Sequence, residues 1–298
     1  MNILMTGGTG FIGTALSRRL AAAGHTILFH VRDRTRAAVR LGRDNRFVTD
    51  VDQIAADEAI DAIVNLAGAP IAGSLWSTAY RRRLVDSRIG TTKALVDLAG
   101  RLERPPKVMI SASAAGYYGD GGERLLTEEE PAEDIFMSTL CQRWEHAAEE
   151  IRSLGVRLAI PRISVVLGTD GGAFPSLVRP LRFGLGAVIA SGNQYFPWIH
   201  KTDLLRMIEY MLDNEDIDGP FNAAAPDART QRDFNHAIAN HLGRPMFLRA
   251  PAVALKVPLG ELSDLFLKGQ RMSVDRILGT GFRFDYPDLP AAQDDLLG

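Results

Sequence analysis

Cysteine is nearly absent from this 298-residue chain, since Cys141 is the only one. No internal disulfide can form, and a reducing, cytoplasmic setting is the expectation. Cys141 itself reads as a small apolar residue on a helix rather than as a reactive thiol. No uninterrupted apolar stretch reaches the ~20 residues of a membrane-spanning helix. An apolar strand pattern begins at Asn2, so no cleaved leader is expected. An excess of one charge is also missing: 34 Lys and Arg against 36 Asp and Glu leave a net charge of −2. The only like-charge runs are the triplets Arg81, Arg82, Arg83 and Glu128, Glu129, Glu130, both read as solvated faces, so neither nucleic acid nor a membrane surface is expected as a partner. The six histidines show no ligand spacing; His236 and His241, five apart, do not share a helical face. No metal is expected. What remains is ordinary for a globular chain, 46% hydrophobic and 23% charged. The length suits one large α/β domain or a nucleotide domain with a smaller appendage, with a small-molecule substrate as partner and the oligomeric state open.

Against these absences stands one dense feature. The apolar run Ile3, Leu4, Met5 ends in Thr6 and then reads Gly7, Gly8, Thr9, Gly10, Phe11, Ile12, Gly13. Its glycines satisfy both Gly-x-Gly-x-x-Gly and Gly-x-x-Gly-x-x-Gly, and a helical pattern over 14–23 follows. A strand feeding a glycine turn and then a helix lets backbone N–H groups approach a pyrophosphate at the positive helix end. Gly7, Thr9, Gly10, Phe11, Ile12 and Gly13 are therefore assigned to a dinucleotide. A second strand over 26–31 ends in Val31, Arg32, Asp33, Arg34, where an acid would hold a ribose 2′-hydroxyl and an arginine a 2′-phosphate. Arg32 favours NADP(H) over NAD(H) through the bidentate fit of guanidinium to phosphate. A one-residue shift would instead make Asp33 an NAD-type acid.

Strands are expected over 46–49 and 61–65, with Asp50 and Val51 on the adenine side. Leu66, Ala67 and Gly68 are small or apolar where the chain leaves a buried strand close to a cofactor. A helix over 77–101 carries Asp86, Ser87, Arg88, Thr91 and Thr92, read as packing and internal hydrogen bonds. Another strand over 107–113 places Ser111 and Ala112 at the cofactor, ahead of Ser113, Tyr117 and Tyr118. Repeated strand, helix, strand units define an α/β fold, a Rossmann-type doubly wound parallel sheet. Residues 1–168 form the dinucleotide-binding domain, with some elements returning later in the chain, and 169–298 form a smaller C-terminal substrate-side region.

The glycine turn, Asn65-Leu66-Ala67-Gly68 and the serine-rich strand end before Tyr118-Gly119 resemble the extended and atypical short-chain dehydrogenase/reductases of the nucleotide-sugar epimerase group. Trp144-Glu145, Pro161-Arg162, Val166-Leu167-Gly168 with Gly171-Gly172, Trp198-Ile199-His200, Asp203, Gly219-Pro220-Phe221-Asn222 and Gly269-Gln270-Arg271 resemble its atypical branch, the "epimerase family protein" type with a C-terminal domain of unknown function. The resemblance implies an NADP-type cofactor and a carbonyl or sugar-like substrate. It also implies that the strand over 156–166, with Pro161 and Ile163, passes the nicotinamide carboxamide, and Pro161 suggests a bend or strand end.

The likeness breaks at the chemistry. Enzymes of this kind carry Tyr-x-x-x-Lys, and none of the six tyrosines here is followed four residues later by lysine. Counting back from Trp144-Glu145 puts Phe136 or Met137 at the tyrosine position and Leu140 or Cys141 at the lysine. Ser113, Tyr117 and Tyr118 remain as catalytic candidates, although poising an unassisted tyrosine near pH 7 requires roughly three pKa units, or ~4 kcal/mol. Glu145 reads either as a proton carrier or as a buried structural partner. Beyond Gly168, glycine-rich turns alternate with apolar segments. Trp198 and His200 read either as cleft lining or as an aromatic plug with a satisfied histidine. Helices are expected from a Thr202 or Asp203 cap to Leu212, over 231–241 after a Thr230 cap, and over 255–266. Two function classes follow: an NADP(H)-dependent oxidoreductase or epimerase-like enzyme, and an NADP(H)-binding protein with little or no turnover.

Overall fold

Seven short apolar strands build the centre of the molecule: β1 (Asn2–Thr6), β2 (Thr26–His30), β3 (Arg46–Val48), β4 (Ala62–Asn65), β5 (Val108–Ser111), β6 (Arg157–Ile163) and β7 (Gly219–Ala223). The computed structural model describes residues 1–298. All seven strands pair in parallel in the order β7-β6-β5-β4-β1-β2-β3. The near-continuous apolar runs follow from helices covering both faces. Ile3, Met5, Phe29, Val64 and Ile110 enter one core cluster, whereas Leu4, Leu28, Ile63, Met109 and Leu158 enter the other. That division is the two-residue period of a strand buried on both sides.

Helix α1 (Phe11–Ala22) begins at once after the glycine turn, three residues before the start that sequence periodicity suggests. Helix α2 (Arg34–Leu41) follows β2. The helix expected over 77–101 is a continuous run in three parts: α3 (Thr78–Val85), one π turn at Asp86–Gly90, and α4 (Thr91–Arg101). Ser77 caps it by accepting from the Tyr80 N–H. Helix α5 (Phe136–Glu149) lies before β6, α6 (Phe174–Arg182) follows it, and α7 (Lys201–Asp213) packs back against α1 and the sheet. Both α7 and β7 thus return to the sheet from the C-terminal half.

Pro161 lies inside β6, where a bend or strand end was anticipated. On the β5 side the pairing stops at Ala159 and resumes at Arg162 with the two-residue strand Ser113–Ala114. The proline sits in that gap, so its missing N–H breaks no continuous ladder there.

The remaining residues make a second lobe around Phe174, Leu181, Trp198, Phe234, Leu289 and Leu296. Helix α8 (Gln231–His241) has Thr230 as its cap, as the sequence indicates. Helix α7 is capped by His200, whose Nδ1 accepts from the Thr202 N–H, rather than by Thr202 or Asp203. Asp203 is fully buried and accepts from the backbone N–H groups of Asp285 and Tyr286, which ties the chain end to α7. The apolar stretch expected as a helix over 255–266 is divided at Gly260, whose φ of +56° ends the helix Ala252–Leu259. No helix is long and apolar enough to cross a membrane.

Candidate functional site

The sheet order reverses between β1 and β4, which opens a crevice at their carboxyl ends. The glycines there do different work. A Cβ on Gly7, whose φ is +68°, would lie 2.4 Å from the Leu66 carbonyl oxygen, and one on Gly13 would lie 2.3 Å from the Gly7 oxygen. These two residues let β1, β4 and α1 approach one another. A Cβ on Gly10 would meet only the Gly7 oxygen, at 3.1 Å, and is otherwise in open space. Gly10 precedes a helix with no side-chain cap and no acid in its first turn. The Phe11, Ile12 and Gly13 N–H groups at that positive terminus therefore suit an anion, and a pyrophosphate fits this cradle. Half-buried Thr9 completes the turn. The Phe11 ring turns the other way, against Gly168, Gly171 and Gly172, with the Lys201 ammonium 5.2 Å above it.

Behind the cradle, fully buried Asn65 accepts from Thr6 Oγ1 at 2.7 Å and donates to Thr92 Oγ1 at 2.8 Å and Ser111 Oγ at 3.2 Å. The Ala67 N–H donates to Thr6 Oγ1. This network fixes the ends of β1, β4 and β5, so Ser111 is part of the crevice's frame. Leu66, Ala67 and Gly68 leave β4 along the crevice, and Arg88 packs behind Gly68. The Arg88 guanidinium is buried, donates to the Leu84 and Ala69 carbonyls, and has no carboxylate partner. Burial lowers its pKa. Arg88 was assigned to packing from the sequence; its buried, uncompensated charge beside the crevice is visible only in three dimensions.

At the far end of the crevice Arg32 is exposed just beyond β2. Asp33 caps α2, accepting from the Arg36 N–H at 3.0 Å and pairing with its guanidinium at 3.3 Å. Asp50 likewise accepts from the Asp52 N–H, and Val51 is buried in the core.

The catalytic candidates form a cluster around Arg162, which is 3% exposed. Arg162 Nε and Nη2 donate to the two Glu145 oxygens at 3.0 and 2.9 Å, a bidentate pair. Its Nη1 donates to the Tyr118 hydroxyl at 3.0 Å and to the Glu128 carbonyl at 2.9 Å. The guanidinium lies 3.5 Å from the Tyr117 ring centroid. Ser113 Oγ donates to Glu145 Oε1 at 2.6 Å.

Tyr118 is sealed by this arrangement. Its hydroxyl donates to Asn222 Oδ1 at 2.6 Å, its ring is 1% exposed, and burial pushes its pKa up to about 12. Raised above the unfolded value near 10, that pKa gives stability present at neutral pH and lost only as pH climbs from about 10 toward 12. Tyr118 therefore stays protonated between pH 6 and 9. Glu128, expected on a solvated face, is buried and accepts from the Asn222 N–H; burial raises its pKa. Arg81 is not simply solvated either, since it pairs with Glu261 at 2.8 Å and stacks on Phe136.

On α5, Met137, Cys141 and Glu145 recur every four residues on one face, toward Gly116 and Ser113. Met137 and Cys141 are buried there, and the Cys141 thiol is pushed up to about 12 by burial. Glu145 is the carboxylate on that face that reaches Ser113. Gly116 and Met137 also line a cleft whose other walls come from the second lobe and the C-terminal segment, among them Leu177, Phe196 and Phe266. Trp198 and His200 do not line it. The indole donates to the Asp227 carbonyl, and the imidazole is buried against Tyr286 at a centroid distance of 3.8 Å. His200 Nε2 lies 3.2 Å from Asp295 without hydrogen-bond alignment, and burial lowers its pKa.

The parallel sheet, the open helix terminus at its switch point and the facing cleft define a Rossmann-type fold of the short-chain dehydrogenase/reductase kind. The chain belongs to the NAD dependent epimerase/dehydratase family, whose profile matches residues 3–224, and a domain of unknown function (DUF1731) matches residues 250–296. It is 37% identical to epimerase family protein YfhF of Bacillus subtilis, over all of this chain and 98% of the relative. It is 33% identical to the human epimerase family protein SDR39U1, over the full length of both. The crystal structure of that human protein (isoform 2) with NADPH superposes with a TM-score of 0.88 at 32% identity, over 99% of each chain. A nucleoside-diphosphate sugar epimerase from Corynebacterium glutamicum superposes with a TM-score of 0.80 at 28% identity, over 100% of this chain and 58% of that one.

Proposed function

We propose that the protein is an NADP(H)-dependent oxidoreductase acting on a carbonyl compound held in the cleft. The observation that carries the reading is the cleft itself, lined by Gly116, three residues after Ser113, and by Met137, two turns before Glu145 on α5, so that it neighbours the Ser113–Glu145–Arg162 cluster. Gly10 and the Phe11, Ile12 and Gly13 N–H groups hold the pyrophosphate, with Leu66, Ala67, Gly68 and Ala112 along the crevice and Pro161 and Ile163 beside the nicotinamide. The uncompensated charge of Arg88 favours a polyanion nearby. The NADPH in the human relative's structure supports the same cofactor here. When bound, that cofactor donates or accepts a hydride.

The chain's own residues manage the proton. In the oxidation direction Ser113 Oγ accepts the substrate hydroxyl proton while passing its own to Glu145 Oε1, 2.6 Å away. The reverse transfer protonates the carbonyl oxygen on reduction. Arg162 holds Glu145 in place and Tyr117 supports Arg162 through its ring. Ser113→Ala is expected to raise the barrier by about 2–4 kcal/mol while leaving NADPH affinity unchanged. Single-turnover absorbance of NADPH with a carbonyl panel measures both, and unchanged turnover in Ser113→Ala removes the relay.

Selectivity for NADP(H) follows from Arg32, since Asp33 is engaged as the cap of α2. A charge-assisted contact of about 1.5–3 kcal/mol makes NADPH bind roughly ten- to a hundredfold more tightly than NADH, and Arg32→Ala should erase most of that difference. Calorimetric titration with both cofactors tests it; equal affinities for the unaltered protein overturn the assignment.

A second reading, NADP(H) binding with little turnover, is favoured by the 2% exposure of Ser113 and the sealing of Tyr118. NADPH binding without turnover of any carbonyl compound or nucleotide sugar decides for it.

A further inference from the structure

We infer that the cleft takes an uncharged, largely apolar carbonyl compound, an aromatic or branched aliphatic ketone or aldehyde, and that it excludes sugar nucleotides. The word carbonyl rests on the oxidoreductase reading; the apolar, uncharged character rests on the cleft wall alone.

Trp76, Phe136 and Phe266 face Leu177, Ile189 and Leu265 across the cleft. Such a wall is suited to burying apolar ligand surface. Its polar groups are mostly committed to the fold. Gln194 Nε2 donates to the Ile189 and Phe266 carbonyls, Gln231 Nε2 and Asn235 Nδ2 both donate to the Ala187 carbonyl, and Gln270 Nε2 donates to that of Gly119. Gln194 thus spends both of its N–H donors on the fold, and Gln231, Asn235 and Gln270 spend one each.

Charge points the same way. No arginine lines the cleft, and its one cation, Lys268, sits 3.5 Å from Asp264 and 3.8 Å from Glu133. Glu261, the other charged group in the wall besides Asp264, pairs with Arg81. A nucleoside diphosphate requires bidentate guanidinium contacts or free backbone donors at its phosphates. Here it would meet charges already paired with one another and no guanidinium in the wall. A neutral aromatic or aliphatic ligand meets no such penalty.

The test uses the full chain preloaded with NADPH and titrated with 4-phenylcyclohexanone, acetophenone, UDP-glucose and UDP, read by calorimetry and, in parallel, by NADPH oxidation. The expected result is at least tenfold tighter binding of one of the ketones than of either uridine nucleotide. Leu265→Asp, on a partly exposed helix, is expected to weaken that ketone tenfold or more without changing NADPH affinity, and Phe266→Ala to weaken it less. UDP-glucose binding as tightly as the ketones, or no detectable ketone binding, overturns the inference. Ketone binding that responds to Leu265→Asp but is never accompanied by NADPH oxidation upholds the ligand class and overturns the oxidoreductase reading instead.

Discussion

Replacing Glu145 with alanine is expected to destabilise the protein by about 3–5 kcal/mol, the usual consequence of leaving one member of a buried ion pair without its partner. Arg162 is 3% exposed, and both of its Glu145 contacts lie at ordinary hydrogen-bond length. Its remaining partners, the Tyr118 hydroxyl and the Glu128 carbonyl, are neutral and do not balance the charge. Surface pairs such as Arg46–Glu58 offer the contrast, since solvent and side-chain entropy reduce them to ~0–1 kcal/mol. Glu145→Gln keeps an acceptor for the guanidinium and should cost less than Glu145→Ala. Urea unfolding at pH 7 measures both, and a loss below about 1 kcal/mol in Glu145→Ala would show that the cluster is not a structural keystone.

Gly10→Val should abolish stabilisation by NADPH while leaving the sheet intact. The backbone at Gly10, φ −78° and ψ 176°, is open to any L-residue, and the added Cβ meets a single oxygen at 3.1 Å. The branched side chain instead fills the space in front of the α1 terminus, where the pyrophosphate belongs. At a hundredfold excess over Kd a ligand contributes about 2.7 kcal/mol, and that entire increment is expected to vanish. Gly7 and Gly13 behave differently because their added Cβ atoms collide with backbone; substitution there should damage the fold with or without cofactor. A thermal-shift series across the three positions separates the roles. A full NADPH-induced shift in Gly10→Val would refute the cradle.

The sheet and the crevice were legible because their signals are local. Apolar strand runs, glycine spacing and the Thr230 cap each involve residues within a few positions of one another, and the elements they indicate appear in the fold. The Tyr-x-x-x-Lys absence was equally legible, and the structure places buried Met137 and Cys141 there. In the sequence Arg162 is only half of a Pro-Arg pair, and its role is not legible there. The signal was a lone arginine in an apolar strand, which demands a buried counter-charge but does not say where in the chain it lies. Its partners are residue 145 on α5 and residues 118 and 128 on the segment between β5 and α5.

By itself the sequence determined the parallel sheet, the glycine cradle and the absence of the usual proton-transfer pair, because each is written in short-range pattern. Only the tertiary structure decided that Tyr118 is sealed against Asn222, that Glu128 is buried, and that Trp198 and His200 stand away from the cleft. Burial and hydrogen-bond commitment are set by which distant segments meet. Gln194 owes its committed donors in the cleft wall to the same cause: Gln194 and Phe266 lie 72 residues apart and touch only once the C-terminal segment folds back.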